Sequence, residues 1–159
     1  VREMDEAGIL ARVQAAIGTL GMGMALAPDA FYRDASPRER AYVEWFRSTP
    51  LFLRMCRSPR VERELSFSYP ADTDWLLGVP SHERVLLQGV VDACFLEDGQ
   101  WVLIDYKTDA PQQGDTEETL AARHAGQIGL YAAALSALTG RPVRERYIVY
   151  LSLRRIVAC

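Results

Sequence analysis

The dipeptide Asp98-Gly99 constrains the fold of this chain more than any other feature, because it separates two apolar stretches at 85–96 and 101–107. Asp-Gly between such stretches is a strong signal for a two-residue β-hairpin turn, since both residues tolerate positive φ angles. The sequence therefore predicts two antiparallel strands, Val85–Leu96 and Trp101–Lys107, joined by a tight turn.

A two-residue turn also sets the register of the two strands. If Glu97 pairs with Gln100, counting back along both strands places Asp92 opposite Asp105. Directly opposed residues on one face have Cβ atoms about 4.5–5.5 Å apart. Period-two alternation then puts Lys107, the only lysine of the chain, on the same face as Asp105.

Two opposed carboxylates between apolar strands are destabilising unless something compensates their charge, and burial would force one of them to hold a proton. A divalent cation resolves the conflict, and oxygen ligands favour Mg²⁺, or Mn²⁺, over zinc. A neighbouring ammonium can orient a metal-activated water or stabilise developing phosphate charge. The alternative is an Asp–Lys–Asp ion cluster that holds no metal.

The stretch before the hairpin predicts a further strand with one largely apolar face, on which Val61, Leu65 and Phe67 alternate with polar residues. Glu64 lies on its polar face. It could serve as a third carboxylate at the metal or hold a water, and a solvated charge beside Glu62 is the equal alternative.

A long helix is predicted from a capping-box-like start at Asp115 and Glu118 to Gly140. Its core-facing stripe runs from Leu120 to Leu138 and includes three polar-tipped residues: His124, Gln127 and Tyr131. Gln127 and Tyr131 are i, i+4 neighbours that could contact a phosphate or orient Lys107. A tyrosine whose ring is buried and whose hydroxyl reaches solvent is the alternative. His82 lies in a loop and is expected to be solvated.

The remaining signals predict one α/β domain in which helices flank a central mixed sheet. Ser36-Pro37-Arg38-Glu39 predicts a helix start by a capping box, and the last strand is predicted at about 143–153. A helical part (1–58) precedes the core (59–159). From residue 36 the expected element order is α-α-β-β-β-α-β.

Composition excludes several classes of function. The 159 residues contain no apolar run long enough to span a membrane. The net charge of −3 argues against polyanion binding driven by bulk charge. The three cysteines are far apart and lack C-x-x-C spacing, which argues against a zinc or iron–sulfur site and fits a cytoplasmic protein.

Four motifs in order resemble the RecB-type nucleases of the PD-(D/E)XK superfamily, over roughly residues 60–153. They are Arg63-Glu64-Leu-Ser-Phe67, Gly89-Val-Val-Asp92, Asp105-Tyr-Lys107-Thr-Asp109 and Gln127-x-x-x-Tyr131. The segment Gly140-Arg-Pro-Val143 before a strand resembles the C-terminal nuclease domain of AddA-type (RexA) helicase–nuclease subunits.

The resemblance implies a restriction-endonuclease-like core and a magnesium-dependent exonuclease acting on DNA. Asp92, Asp105 and the backbone carbonyl of Tyr106 would bind the metal, and Lys107 would be catalytic. Glu64, Gln127 and Tyr131 would be further active-site residues. Such nucleases act in DNA end resection and double-strand-break repair, with helicase domains upstream in the same chain and with an AddB-type partner subunit.

The sequence departs from the family pattern at two places. The family usually supplies a metal-binding histidine upstream of the glutamate strand, and none precedes His82, so that ligand is expected before Val1 in a longer chain. Arg123-His124 stands where Arg-Tyr is usual. No Walker A motif is present, so ATPase activity is expected only upstream. The alternatives are an inactive nuclease-like domain that binds DNA or a partner, and a stand-alone exonuclease.

Overall fold

The computed structural model describes residues 6–20, 33–72, 74, 78, 83–110 and 112–159. The described chain forms four helices and five strands. The helices are α1 (Glu6–Leu20), α2 (Pro37–Arg47), α3 (Pro50–Arg57) and α4 (Glu117–Thr139). The strands are β1 (Val61–Asp72), β2 (Arg84–Glu97), β3 (Gln100–Lys107), β4 (Val143–Tyr150) and β5 (Arg155–Ala158).

The strands form one sheet in the order β1-β2-β3-β4-β5. β3 and β4 are parallel and the other neighbouring pairs are antiparallel. The parallel pair is connected through α4, because a parallel connection needs a crossover rather than a tight turn. The predicted α/β class with a mixed sheet and flanking helices is therefore confirmed.

The predicted hairpin and its register are confirmed near the turn. Asp98 and Gly99 both have positive φ angles, 53° and 77°, as a type I′ turn requires. Pairing runs from Glu97 opposite Gln100 to Ala93 opposite Ile104. Beyond that pair, β3 continues along β4 while β2 continues along β1, so the two strands of the hairpin separate at Asp92 and Asp105.

The prediction of one apolar face along β1 was wrong, because the alternation changes at Glu64. Val61 packs on the core beneath α1–α3, whereas Leu65 and Phe67 pack on the core beneath α4. Glu64 has a φ of 47°, and the pairing between β1 and β2 is interrupted there, opposite Asp92. A left-handed residue within a strand rotates the chain, so the side chains that follow point to the opposite face.

Two hydrophobic cores lie on opposite faces of the sheet. One lies between the sheet and helices α1–α3 and contains Phe46, Phe95 and Tyr106. The other lies between the sheet and α4 and contains Trp101, Ile128 and Tyr150. Fully burying each such side chain contributes about 1.5–3 kcal/mol, so both layers hold the strands in place.

Two of the predicted helix ends are confirmed and one was wrong. Ser36 and Glu39 form the predicted capping box of α2, and Gly140 ends α4 with a left-handed φ of 65°. The predicted start of α4 at Asp115 and Glu118 was wrong. Thr116 is the N-cap and exchanges hydrogen bonds with Thr119, because Asp115 instead accepts from the backbone of Gln112.

Three further expectations are corrected or lie outside the described residues. The last predicted strand ends at Tyr150, and a turn then leads into β5, a separate strand that the sequence pattern did not indicate. Leu138 is 51% exposed rather than core-facing, since it lies near the end of α4. His82 lies outside the described residues.

Among the described helices, none combines the length and apolar character needed to span a lipid bilayer.

Candidate active site

Three carboxylates lie in one row across the first three strands. Glu64 and Asp92 lie at the interruption of the β1–β2 pairing, and Asp92 and Asp105 directly follow the last hairpin pair, Ala93–Ile104. The charges of Glu64 and Asp105 both act on Asp92. The row coincides with the point where β2 and β3 separate. The chain thus concentrates acidic groups at the one place where the hairpin's backbone pairing ends.

The Asp92 side chain replaces a backbone acceptor at this point. Its Oδ2 accepts a hydrogen bond from the Tyr106 backbone N–H at 2.8 Å. The pKa of Asp92 is raised to about 6, mainly by burial and also by the charges of Asp105 and Glu64. The Tyr106 hydrogen bond and Lys107 act in the opposite direction. The carboxylate is therefore held where its charge is poorly compensated.

Asp105 is 5% exposed, and its Oδ2 is buried without a hydrogen-bond partner among the described residues. Lys107 Nζ lies 3.0 Å from this oxygen, but not in a hydrogen-bonding direction. A buried carboxylate oxygen without a hydrogen bond costs free energy, although the nearby ammonium offsets part of its charge. Asp105 therefore presents an acceptor that lacks a hydrogen-bonding donor.

Lys107 is held between the sheet and α4. Its Nζ donates to Gln127 Oε1 at 3.1 Å, and Gln127 Nε2 donates to the Tyr131 hydroxyl at 3.3 Å. Asp105, Lys107, Gln127 and Tyr131 thus form one continuous series of contacts. The structure brings these predicted residues together, with α4 supplying the last two.

The ring and the backbone of Tyr106 face different parts of the molecule. Its ring is 3% exposed and packs edge-on against Phe46 at a centroid distance of 5.5 Å, on the face away from α4. The Lys107 carbonyl accepts from Leu151 N at 2.9 Å, so the backbone of Lys107 faces β4. By alternation the polar backbone groups of Tyr106 face β2, where its N–H meets Asp92.

A divalent cation needs several oxygen donors that converge on one point. Among the described residues, no group of three or more His, Cys, Asp or Glu side chains converges tightly enough to form a metal cluster. Asp92 and Asp105 nevertheless fit such an ion, because Asp92 is a desolvated carboxylate and Asp105 Oδ2 is buried without a hydrogen-bond donor. Glu64 is exposed and contributes through its charge on Asp92.

Sequence reasoning missed two sets of contacts around the site. Gly89 faces Phe67 and Tyr131, a role signalled only by its place in Gly89-Val-Val-Asp92. Asp109 pairs with His124 at 2.9 Å and lies 3.7 Å from Arg123, which connects the segment after β3 to α4. The unusual Arg123-His124 pair was the available signal for the second set.

A sequence model described as the PD-(D/E)XK nuclease superfamily matches residues 3–156, nearly the whole chain. The chain belongs to the PD-(D/E)XK nuclease superfamily. Nucleases of the PD-(D/E)XK superfamily typically use a divalent metal. The carboxylate row at the strand separation is accordingly the candidate active site of a PD-(D/E)XK nuclease domain.

Relatives that are named as subunits of an ATP-dependent helicase/nuclease match most of this PD-(D/E)XK domain. The one from Desulforamulus reducens is 38% identical over 121 residues, 73% of this chain and 9% of its own length. Those from a Thermoanaerobacter species and Acetivibrio thermocellus are 39% and 36% identical over 67% and 73% of this chain. The chain spans about a tenth of the length of these relatives.

Proposed function

We propose that this chain is a magnesium-dependent deoxyribonuclease domain that hydrolyses phosphodiester bonds at DNA ends. The observation that carries the proposal is the buried Asp105 Oδ2, which lacks a hydrogen bond although Lys107 Nζ lies 3.0 Å away. An acceptor in that state beside a second desolvated carboxylate, Asp92, suits a hard divalent cation.

Asp92, Asp105 and the backbone carbonyl of Tyr106 would hold the ion. When bound, Mg²⁺, or Mn²⁺ in its place, supplies an activated water and neutralises phosphate charge. Every other contribution comes from side chains. Lys107 places a positive charge beside Asp105, where it can stabilise the charge that develops on the scissile phosphate.

Gln127 and Tyr131 orient that lysine rather than replace it. Gln127 accepts from Lys107 Nζ and itself donates to Tyr131, so the ammonium is aimed by α4. A positioned charge is more effective than a mobile one because little reorganisation is needed during the reaction. Glu64 adds negative charge at the edge of the site and would hold a metal-associated water.

We further propose that the domain works within a longer ATP-dependent helicase–nuclease in the cytoplasm. The support is that the named relatives are helicase/nuclease subunits about ten times as long as the matching segment. Helicase domains of the same polypeptide would deliver DNA ends, and an AddB-type subunit would be the partner. The biological role would then be end resection in double-strand-break repair.

The proposal is tested with Lys107→Ala and Asp105→Asn in the full-length polypeptide, by measuring cleavage of linear duplex DNA in Mg²⁺ and metal binding by calorimetry. Lys107→Ala should lower the turnover rate about 10²–10³-fold, the usual loss for one electrostatic stabiliser, and leave metal binding intact. Lys107→Arg should restore the rate only in part, because guanidinium is larger and planar. Asp105→Asn should weaken metal binding as well as cleavage.

Asp98→Asn is the matched control for the loss of a carboxylate. Asp98 is 84% exposed at the hairpin turn, the opposite end of the paired segment from Asp92, and Asn-Gly suits the same turn. It should cleave like the wild type. Cleavage by Lys107→Ala at the wild-type rate, or equal metal binding by Asp105→Asn, would contradict the proposal and favour a nuclease-like binding domain.

A further inference from the structure

Gly89 lies on β2, three residues before Asp92, where β1 and α4 approach the strand together. It is opposite Phe67 in the β1–β2 register. A Cβ atom at this position would lie 2.8 Å and 2.9 Å from Phe67 ring atoms and 3.0 Å from a Tyr131 ring atom. Contacts this short require the rings to move, so any side chain at residue 89 would displace them.

Space, rather than backbone conformation, disfavours a side chain here. Four glycines of the described chain have a positive φ, and Gly89 is not among them. The Phe67 ring meets the Tyr131 ring edge-on, with centroids 5.3 Å apart and planes at 80°. Such aromatic pairs contribute about 0.5–1.5 kcal/mol and have a defined geometry, which fixes the Tyr131 ring.

We propose that Gly89 and Phe67 are positioning residues that together form a ring pocket for Tyr131 and thereby set the position of Lys107. The inference rests on the proposed function, in which Lys107 acts on the phosphate. Contacts run without a gap from the ring pocket to the reacting centre. Tyr131 accepts from Gln127, Gln127 accepts from Lys107, and Lys107 lies against Asp105.

The ring pocket therefore connects the strand that carries Asp92 to the helix that orients Lys107. Gly89 and Asp92 are on β2, and Tyr131 and Gln127 are on α4. A shift of the Tyr131 ring would move the Gln127 amide and leave Lys107 without its acceptor. Misplacing a catalytic group by about 1 Å can cost on the order of 10²-fold in rate.

The test compares Gly89→Ala with the wild-type chain, by DNA cleavage kinetics and by the NMR signals of the Gln127 side-chain amide. Gly89→Ala should lower kcat about 10–100-fold with little change in KM, and it should shift the Gln127 amide signals. The double variant Gly89→Ala/Phe67→Leu should be faster than Gly89→Ala, because leucine removes the ring atoms that the new Cβ meets.

Gly129→Ala on α4 is the matched control. A Cβ there has only an ordinary contact, 3.8 Å to Arg146, and alanine is the better helix former. It should leave both the rate and the Gln127 signals unchanged.

Phe67→Leu alone keeps the inference testable if Gly89→Ala does not fold, since it releases the Tyr131 ring without a clash. It should also slow cleavage and shift the Gln127 signals. If Gly89→Ala folds and its Gln127 signals are unchanged, the inference is overturned. If only Phe67→Leu folds, unchanged Gln127 signals in that variant overturn it. Absence of cleavage by the wild-type domain within the longer polypeptide that supplies the upstream residues would refute the proposed function, and the amide signals would still decide whether the ring pocket positions Gln127.

Discussion

At the scale of single residues, Asp92 is the carboxylate of the described chain whose charge is least well accommodated. It is desolvated, faces two other carboxylates, and receives one backbone N–H in compensation. The folded protein without metal therefore binds a proton at Asp92 more tightly than the unfolded chain does. A cation at the site would favour the charged form, so metal binding and proton binding compete at this carboxyl group.

The raised pKa of Asp92 predicts a pH dependence of stability in metal-free buffer. The pKa is 3.8 ordinarily and about 6 in the folded state, so the stabilisation is complete below about pH 3.8 and is lost as pH rises through 6. We expect the free energy of unfolding to fall by roughly 2–3 kcal/mol across this window relative to Asp92→Asn.

Urea titrations at pH 4.5 and 7.5 in the presence of a chelator measure this difference. Asp92→Asn keeps an oxygen acceptor for the Tyr106 N–H but has no charge to desolvate, so it should be more stable than the wild type at pH 7.5. If both proteins show the same difference between the two pH values, Asp92 is not the responsible group.

At the scale of elements, the segment after β3 is tied to α4 and to the β4–β5 turn. Asp109 pairs with His124, and its carbonyl accepts from the Ser152 hydroxyl at 2.5 Å. Arg123 pairs with Asp115 at 2.5 Å. These contacts hold α4, the helix that carries Gln127, against the segment that follows Lys107.

His124→Ala should loosen this connection. We expect the free energy of unfolding to fall by about 1 kcal/mol, the usual contribution of one partly buried hydrogen bond, and the cleavage rate to fall modestly. His124→Gln, which can still donate to Asp109, should recover most of the stability.

Arg84→Ala provides the comparison, because Arg84 pairs with Asp72 at 3.2 Å while both side chains are more than two-thirds exposed. Such an exposed pair should change stability by less than about 0.5 kcal/mol. Chemical denaturation of the three variants measures these changes. Equal stability losses for His124→Ala and Arg84→Ala would show that the Asp109 contact has no special role.

The elements that local chemistry specifies were predictable from the sequence, and the irregular ones were not. Asp98-Gly99 set the turn, and Ser36 with Glu39 set the start of α2, because each signal lies within four residues. The left-handed Glu64 was missed, since a glutamate gives no sign of that conformation. Its effect, the change of face between Val61 and Leu65, depends on two cores that form only in the folded sheet.

The candidate site shows the same division. The register that leads to Asp92 and Asp105, as far as Ala93 opposite Ile104, followed from counting residues back from the turn, and the approach of Asp105 to Lys107 followed from alternation. The roles of Gly89 and Asp109 depend on where α4 packs against the sheet, which no local pattern specifies.

At the scale of the whole molecule, the sheet is fastened on both faces, and the carboxylates lie where β2 and β3 diverge between the two layers. Charge repulsion at this point opposes the packing of both layers. A cation bound there would therefore stabilise the entire fold, because it binds the native state and has no preformed site in the unfolded chain.

Thermal unfolding with and without Mg²⁺ measures that coupling. A Mg²⁺ concentration about 100 times the dissociation constant should add about 2.7 kcal/mol to the free energy of unfolding and raise Tm. Asp105→Asn should lose most of this gain, and Asp98→Asn should keep it. An equal rise of Tm in Asp105→Asn and in the wild type would place the stabilising ion elsewhere.

The hydrogen bond from the Tyr106 N–H to Asp92 makes one backbone amide a reporter of the site. In a regular hairpin that N–H would be bound to a backbone carbonyl, and its hydrogen–deuterium exchange would report only the opening of the strands. Here its acceptor is a carboxylate that changes with proton and cation occupancy. The exchange rate of a single deeply placed amide would therefore follow the chemical state of the centre while the surrounding sheet stays closed.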